Sequence, residues 1–226
     1  MFGEDKTLYE WAASVETRSE FRGRGRVYSV PAPVLGPSGA KHWAVRHYFR
    51  GGAMAMHMVD RYLRLGHPRP WRELAASEAA RSRGVRTPAV VAAAVYLDGA
   101  CYRADLVTEV VSNARTLATT LFEQDGTRGW AVAMSRAGAL IRTLSDSGVF
   151  HIDLNAHNIL LPDDPNEDAL VVDLDRARIL RRSSDSASER MRARLTRSIV
   201  KVGTPTGEHL RDSEIRTALA RRVSGS

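Results

Sequence analysis

The sequence predicts an α+β fold with two lobes, in which a small antiparallel sheet precedes a mainly helical part. Two observations support the sheet: residues 89–96 and 102–111 are rich in β-type residues, and Asp98-Gly99 between them is a hairpin signal. In the second half, residues 130–147 place apolar side chains at helical spacing. We therefore expect an N-lobe at residues 1–111 and a reduced C-lobe at residues 112–226.

Composition limits the setting and the partners. The chain has 226 residues, 43% of them hydrophobic, which is enough for a substantial core. The single cysteine excludes an internal disulfide framework and predicts a reducing, cytoplasmic setting. With no basic leader and no run of eighteen apolar residues, membrane contact is expected to be peripheral. The net charge of +7 favours an anionic partner, which could be nucleic acid, an anionic membrane or a phosphorylated or carboxylated substrate.

The first predicted element is a hairpin over residues 21–34. Gly23 and Gly25 in it would let backbone N–H groups approach phosphates, although such a glycine pair also suits an ordinary turn. Residues 43–49 then predict a strand that carries Arg46. A strand-borne cation after a glycine hairpin is what a phosphate clamp requires, and an arginine on a solvent-facing edge is the alternative.

Two helices are predicted next. Residues 53–65 place methionines at helical spacing, and residues 71–82 lie between prolines and a glycine, the usual boundaries of a helix. A buried carboxylate on the second helix would pair with Arg46, and we select Glu73 over Glu78 for that role. The alternative is that Glu73 only complements the helix dipole.

The second half predicts helices at residues 114–122, 130–147 and 187–202. The last would be opened by a capping box of Ser186 and Glu189. One side of this helix is apolar, and another carries Arg190, Arg194, Arg197 and Lys201. Such a helix can lie on an anionic bilayer or pack on the lobe with its arginines in water.

Residues 151–161 and 170–175 are the most informative part of the chain. Asp153 and Asn158 are five positions apart, and Asp173 follows fifteen positions later, after an apolar run. This spacing matches a phosphotransferase catalytic loop and its metal-binding carboxylate. An aspartate there orients an attacking hydroxyl and accepts its proton, while an amide oxygen and a second carboxylate hold Mg²⁺ on the nucleotide phosphates. The alternative is a polar turn between a helix and a strand.

With these features in order, the chain resembles the protein-kinase-like superfamily over nearly its whole length. Within it, the sequence is most similar to the bacterial 3-deoxy-D-manno-octulosonic acid (Kdo) kinases and related lipopolysaccharide-core kinases. The segments that carry the narrower resemblance are residues 45–52, 71–73, 153–161, 172–176 and 195–199.

The resemblance implies a single catalytic domain with a bilobal protein-kinase-like fold that binds ATP and Mg²⁺ between its lobes. The implied site residues are the catalytic base Asp153, the magnesium ligands Asn158 and Asp173, the phosphate-covering glycines Gly23 and Gly25, and the clamp pair Arg46 and Glu73.

The sequence departs from the superfamily pattern at three positions. Arg46 stands where members usually have lysine, so either Arg46 or the nearby Lys41 contacts the phosphates. Ile152 replaces the arginine of regulated protein kinases, and Asp175 replaces a glycine. We infer that no phosphorylated activation loop docks here.

The implied function is transfer of the γ-phosphate of ATP to a sugar hydroxyl of Kdo on Kdo-lipid A, at the cytoplasmic face of the bacterial inner membrane. The roughly fifty residues after Asp175 are too few for a peptide-binding platform, which favours a small or lipid-linked acceptor. Nucleic acid is not the expected partner, and no obligate protein partner is inferred. Alternative acceptors are a core heptose, an aminoglycoside or the target of a tRNA-modification kinase, and the non-enzyme alternative is a silent kinase-like module that binds an anionic partner.

Overall fold

The structure is a computed structural model that describes residues 6–21, 27–49, 60–122, 127–204 and 212–220. The chain divides into two compact units. The first comprises Met1–Glu78 and Pro88–Val111, and the second comprises Ala79–Thr87 and Ser112–Ser226.

The first unit is built on an antiparallel sheet. Its strands are β1 (Ser19–Phe21), β2 (Val27–Pro31), β3 (His42–His47), β4 (Tyr62–Leu63), β5 (Val90–Asp98) and β6 (Cys101–Glu109). They run in the order β1-β2-β3-β6-β4, with β5 also paired to β6. Helix α1 (Leu8–Ser14) belongs to this unit, and helix α2 (Arg69–Ser82) begins in it.

Both hairpins predicted for this unit are present. Strands β5 and β6 are joined through Gly99, whose φ of +57° is a conformation that glycine adopts without strain. Strands β1 and β2 also pair antiparallel, with Phe21 opposite Val27. Gly23 and Gly25, between them, lie outside the described residues.

A buried carboxylate ties α1 to the sheet. Asp105 on β6 accepts hydrogen bonds from the Tyr9 N–H and the Tyr96 hydroxyl, both at 2.9 Å, and lies 2.5 Å from His47 Nδ1. Burial raises the pKa of Tyr96, so this hydroxyl stays protonated and can donate. The N-terminal helix is therefore held by polar contacts as well as by its apolar face.

The helix predicted for residues 53–65 is not found in its described part. Residues 53–59 lie outside the described residues, and Tyr62–Leu63 form β4. Tyr62 pairs with Tyr102 across the strands, and their rings stack with centroids 5.6 Å apart. This long-range pairing overrides the helical spacing of the apolar residues.

The second unit is mainly helical. Its helices are α3 (Leu117–Phe122), α4 (Thr127–Asp146), α5 (Asp185–Gly203), α6 (Asp212–Ala220) and a 3₁₀ turn at Leu174–Arg176. Its strands are β7 (Ala114–Thr116), β8 (Val149–His151), β9 (Ile159–Pro162), β10 (Leu170–Val171) and β11 (Ala177–Ile179). They form a β10-β9-β7 sheet and a β11-β8 pair.

Three details of the helix predictions were wrong. The first residues of the helix predicted at 114–122 form β7, because they pair with β9. Val132 of α4 is one of the apolar residues in 130–147 whose helical spacing predicts a core-facing side, yet it is 51% exposed. Helix α5 begins at Asp185 with Ser184 as its N-cap, whose hydroxyl accepts from the Ala187 N–H, so the predicted Ser186 box does not open it.

No helix in the described part of the chain is long and apolar enough to cross a membrane.

Candidate active site

The segment between β8 and β9 carries the residues predicted to do chemistry. The Asn158 side-chain amide donates to the Asp153 carbonyl at 3.4 Å, and the Asn155 amide donates to the same carbonyl at 3.1 Å. Asp153 is therefore presented on a turn that is closed by its own neighbours. Its side chain is 34% exposed, whereas Asn158 is buried.

Asp173 is brought next to this turn by strand pairing. Strands β9 and β10 are antiparallel with Ile159 opposite Val171, and the Val172 N–H donates to the Asn158 carbonyl at 2.9 Å. Asp173 follows directly in a left-handed conformation, φ +63°, and its side chain does not cap the 3₁₀ turn that it precedes. Such a backbone state is uncommon for a residue other than glycine and often marks a functional position. The loop and the segment that leads into Asp173 thus meet across one strand pair.

His151 connects the same two segments. Its Nε2 lies 3.3 Å from the Val172 carbonyl, and its Nδ1 is buried with no hydrogen-bond partner among the described residues. Burial lowers the pKa of His151 below its usual value, so the ring is neutral and donates through Nε2. The histidine is a positioning residue, because it fixes the backbone immediately before Asp173.

Asp153 is flanked by two arginines. Arg176 Nη1 lies 2.5 Å from Asp153 Oδ2, and Arg194 Nη2 lies 3.8 Å from Oδ1. The first distance is a charge-assisted hydrogen bond, and the second is too long for one. Each carboxylate oxygen therefore faces a different guanidinium.

Helix α5 brings Arg194 to this place. Its apolar side buries Met191, Leu195 and Ile199 completely. The Ser198 hydroxyl on the same helix accepts from the Ala156 N–H at 3.1 Å, which attaches the helix to the loop. Arg194 is thus held beside Asp153 by the packing of the helix that carries it.

The oxygen ligands available for a divalent cation are few. Among the described residues, no group of three or more His, Cys, Asp and Glu side chains could hold a metal. Because the nitrogen of the Asn158 amide faces the Asp153 carbonyl, its oxygen is the atom suited to a cation. Asp173 and Asn158 together fit Mg²⁺, which typically takes one or two protein carboxylates and completes its shell with water and phosphate oxygens.

The first unit contains the predicted clamp pair. Arg46 Nη2 lies 2.5 Å from Glu73 Oε2, and the Tyr48 hydroxyl donates to the same oxygen at 2.5 Å. The Arg46 guanidinium also lies over the Tyr48 ring, 4.8 Å from its centroid. The predicted pairing of Arg46 with Glu73, rather than with Glu78, is present. Its role in binding phosphate stays a prediction.

The second unit also contains a cavity of about 400 Å³ that is separate from the predicted site residues. None of the predicted site residues lines it. Arg136, which does, donates to the carbonyls of Pro162 at 2.9 Å and Glu167 at 2.6 Å. This arginine secures a loop, so we do not take the cavity as the reaction centre.

The structure therefore brings Asp153, Asn158 and Asp173 together in one unit and joins Arg46 to Glu73 in the other. The contacts that Arg176 and Arg194 make with Asp153 were not predicted from the sequence. No local pattern signals them, because the two arginines lie 23 and 41 positions after the aspartate.

Comparisons with a family profile and with known proteins agree on one family of kinases. The sequence profile described as "Lipopolysaccharide kinase (Kdo/WaaP) family" matches residues 10–214. A 3-deoxy-D-manno-octulosonic acid kinase of Vibrio cholerae is 35% identical over 193 residues, covering 84% of this chain and 77% of the relative. One of Stenotrophomonas maltophilia (strain K279a) is 33% identical over 182 residues, covering 80% of this chain and 68% of the relative.

Among solved structures, one of "WaaP in complex with acyl carrier protein" is similar to this chain. The TM-score is 0.53 at 18% identity, and the match covers 96% of this chain and 83% of the other. At that identity the likeness shows the fold alone, which is consistent with the predicted protein-kinase-like fold.

Proposed function

The chain belongs to the lipopolysaccharide kinase (Kdo/WaaP) family, and from this membership we propose that it transfers the γ-phosphate of ATP to a sugar hydroxyl of Kdo on Kdo-lipid A. It is a phosphotransferase of lipopolysaccharide inner-core biosynthesis. The relatives described above carry the name of that activity and match most of this chain.

The observation that supports a catalytic rather than a silent module is the connection between the Asp153 turn and the Asp173 segment. Val172 donates to the Asn158 carbonyl and accepts from His151, so the aspartate, the amide and the second carboxylate belong to one hydrogen-bonded assembly. A module that only binds anions would not need three oxygen-bearing side chains in this arrangement.

In the proposed reaction, Asp153 orients the acceptor hydroxyl towards the γ-phosphorus and accepts its proton. The hydroxyl oxygen forms the new bond to phosphorus, the bond from phosphorus to the β–γ bridging oxygen breaks, and ADP leaves with that electron pair. Positioning and charge neutralisation supply most of the rate acceleration in transfers of this type.

Asn158 and Asp173 are our proposed ligands for Mg²⁺. When bound, the ion supplies positive charge against the phosphate oxygens. The burial of Asn158 and the hydrogen bonds that hold Val172 directly before Asp173 support this assignment.

We assign contact with the nucleotide phosphates to Arg46 rather than to Lys41. Arg46 lies on β3 and is held by Glu73, whereas Lys41 is exposed and precedes the strand. A guanidinium held at one edge by a carboxylate still has donors for phosphate oxygens at another edge. We propose that Gly23 and Gly25 cover the phosphates.

A lipid-linked acceptor requires the enzyme to work at the cytoplasmic face of the inner membrane, and we propose peripheral contact there. The basic side of α5 supports this less strongly than its sequence suggested, because Arg190 lies over the Phe150 ring, 5.0 Å from its centroid, and Arg194 faces Asp153. Arg190, Arg197 and Lys201 are the exposed cations on that side. Flotation with anionic vesicles at low and high salt tests the contact, because electrostatic binding weakens with ionic strength.

The central test is phosphorylation of a defined acceptor panel. The purified protein is incubated with γ-labelled ATP and Kdo-lipid A, heptosylated core or an aminoglycoside, and the product is analysed for the labelled sugar. We expect label on Kdo. Label on heptose or on the aminoglycoside alone would replace the acceptor, and an absence of label together with no thermal shift by ATP and Mg²⁺ would favour the silent module.

Two variants test the site itself. Asp173→Ala and Asn158→Ala should nearly abolish turnover while the protein stays folded. Asp163→Ala is the control, because it removes an exposed carboxylate in the same unit that pairs with Arg115. Wild-type-like turnover in either site variant would contradict the ligand assignment.

A further inference from the structure

We propose that Arg194 binds the carboxylate of the acceptor sugar and so selects an acidic sugar over a neutral one. The inference rests on the proposed function, because it concerns the sugar whose hydroxyl Asp153 orients. Arg194 would then determine acceptor specificity, a role that neither the 151–173 motif nor the fold assigns to it.

The first support is that the two arginines lie at different distances from the Asp153 carboxylate. Arg176 is hydrogen bonded to one carboxylate oxygen at 2.5 Å, whereas Arg194 stands 3.8 Å from the other. Within the described ranges, the structure gives the Arg194 guanidinium no hydrogen bond and no closer carboxylate. Its planar fork of N–H donors is therefore available for a ligand.

The second support is the charge at this place. One carboxylate faces two guanidiniums, so the three groups together carry one excess positive charge. An acceptor that brings a carboxylate next to its reacting hydroxyl would neutralise that charge. A neutral sugar would leave it uncompensated, which disfavours binding of the neutral sugar.

The third support is access combined with rigidity. The Arg194 side chain is 40% exposed, so a substrate can reach it, yet α5 is anchored by fully buried Leu195 and Ile199. A guanidinium that is accessible to solvent and fixed at its base suits bidentate binding of a carboxylate.

Arg176 has a different part in this arrangement. Its hydrogen bond to Asp153 makes it a positioning residue, which acts on every acceptor because it holds the side chain that orients the hydroxyl. Changes at Arg176 and at Arg194 should therefore respond differently to the acceptor's charge.

The test measures each form of the enzyme on two forms of the acceptor. Wild type, Arg194→Gln, Arg176→Gln and the control Arg178→Gln are assayed on de-acylated Kdo-lipid A and on the same compound with its Kdo carboxyl converted to the primary amide. Arg178 is an exposed arginine of β11, two positions after Arg176, and its change removes the same charge.

We expect Arg194→Gln to lower kcat/KM about 10- to 100-fold on the acid, the usual effect of losing a hydrogen bond to a charged group, and to leave the KM for ATP unchanged. On the amide, Arg194→Gln and wild type should be equal. Arg194→Lys should restore part of the activity on the acid, because it keeps the charge but not the fork. Arg176→Gln should lose activity on both acceptors, and Arg178→Gln on neither.

An equal loss on acid and amide in Arg194→Gln, or no loss on the acid, would overturn the inference while leaving the proposed function standing. An equal loss in Arg178→Gln would also overturn it, because general surface charge would then explain the effect. If wild type itself does not phosphorylate the acid, the proposed function fails and this inference fails with it.

Discussion

Replacing Glu73 by glutamine tests the polar cluster at the start of the proposed phosphate clamp. The Glu73 carboxylate is almost completely buried and accepts hydrogen bonds from Arg46 and from Tyr48, each at 2.5 Å. Glutamine keeps the size of the side chain and removes its charge.

The expected loss of stability follows from these contacts. A hydrogen bond to a charged group contributes about 1.5–3 kcal/mol, and the exposure of Arg46, 27% of its side chain, puts its share at the low end because solvent screens it. Glutamine keeps an acceptor oxygen, so each of the two contacts loses only the difference from a neutral hydrogen bond of about 0.5–1.5 kcal/mol, and we expect Glu73→Gln to lower the free energy of unfolding by about 2–3 kcal/mol. This loss corresponds to a fall in Tm of about 5–10 °C for a chain of this size.

The replacement should also change the KM for ATP. With Arg46 no longer held by a carboxylate, we expect the KM for ATP to rise about tenfold, the equivalent of about 1.4 kcal/mol, while the KM for the acceptor stays constant. The assays are urea unfolding and steady-state kinetics below the Tm of the variant. Glu78→Gln, an exposed glutamate on the same helix, is the control. Free energies of unfolding that agree within about 0.5 kcal/mol and equal KM values for ATP in the two variants would show that the Glu73 carboxylate neither stabilises the fold nor holds Arg46 for ATP.

The remaining predictions concern the second unit. Ser184→Ala should destabilise the protein by about 1 kcal/mol and Ser186→Ala by much less, because Ser184 caps α5; urea unfolding that shows the reverse order would restore the capping box predicted from sequence. Leu195→Ala should cost about 3–5 kcal/mol, since this side chain is completely buried, and a loss below 1 kcal/mol would contradict the packing of α5. Burial lowers the folded-state pKa of His151 below the usual histidine value of about 6.5, so its contribution to stability is complete above about pH 6.5 and is lost as the pH falls. The free energy of unfolding of wild type should therefore fall more steeply from pH 7.5 to 5.5 than that of His151→Gln, and parallel curves would disprove this.

Elements specified by local signals were predictable from the sequence. The Asp98-Gly99 turn placed the β5–β6 hairpin, and the apolar spacing in residues 130–147 placed α4. The order and spacing of the 151–173 segment selected Asp153, Asn158 and Asp173 as candidate site residues without any knowledge of the fold, because the motif is local in sequence; their roles stay a prediction. Helix α6 was missed although its buried residues recur at helical spacing, at Ile215, Ala218 and Leu219.

Features that depend on distant partners were not predictable. Tyr62 takes a strand conformation because of Tyr102, forty positions away, and no window of local sequence contains both. The same holds for Arg194, which sequence periodicity grouped with a basic surface stripe but which the packing of α5 brings next to Asp153. Local patterns report periodicity and turn chemistry, whereas these placements are decided by tertiary contacts.

The hydrogen bonds on both sides of Val172 also bear on how the enzyme would be controlled. Because the proposed catalytic turn and the proposed metal-binding segment are joined by hydrogen bonds to the N–H and the carbonyl of Val172, we expect both to be in place before any ligand binds. A kinase that is switched on by the ordering of a loop needs this segment to be mobile in the inactive state. Here both backbone groups of Val172 are hydrogen bonded. We therefore expect the reaction rate in the cell to depend on how fast the preceding biosynthetic step supplies the acceptor, and not on an on–off signal.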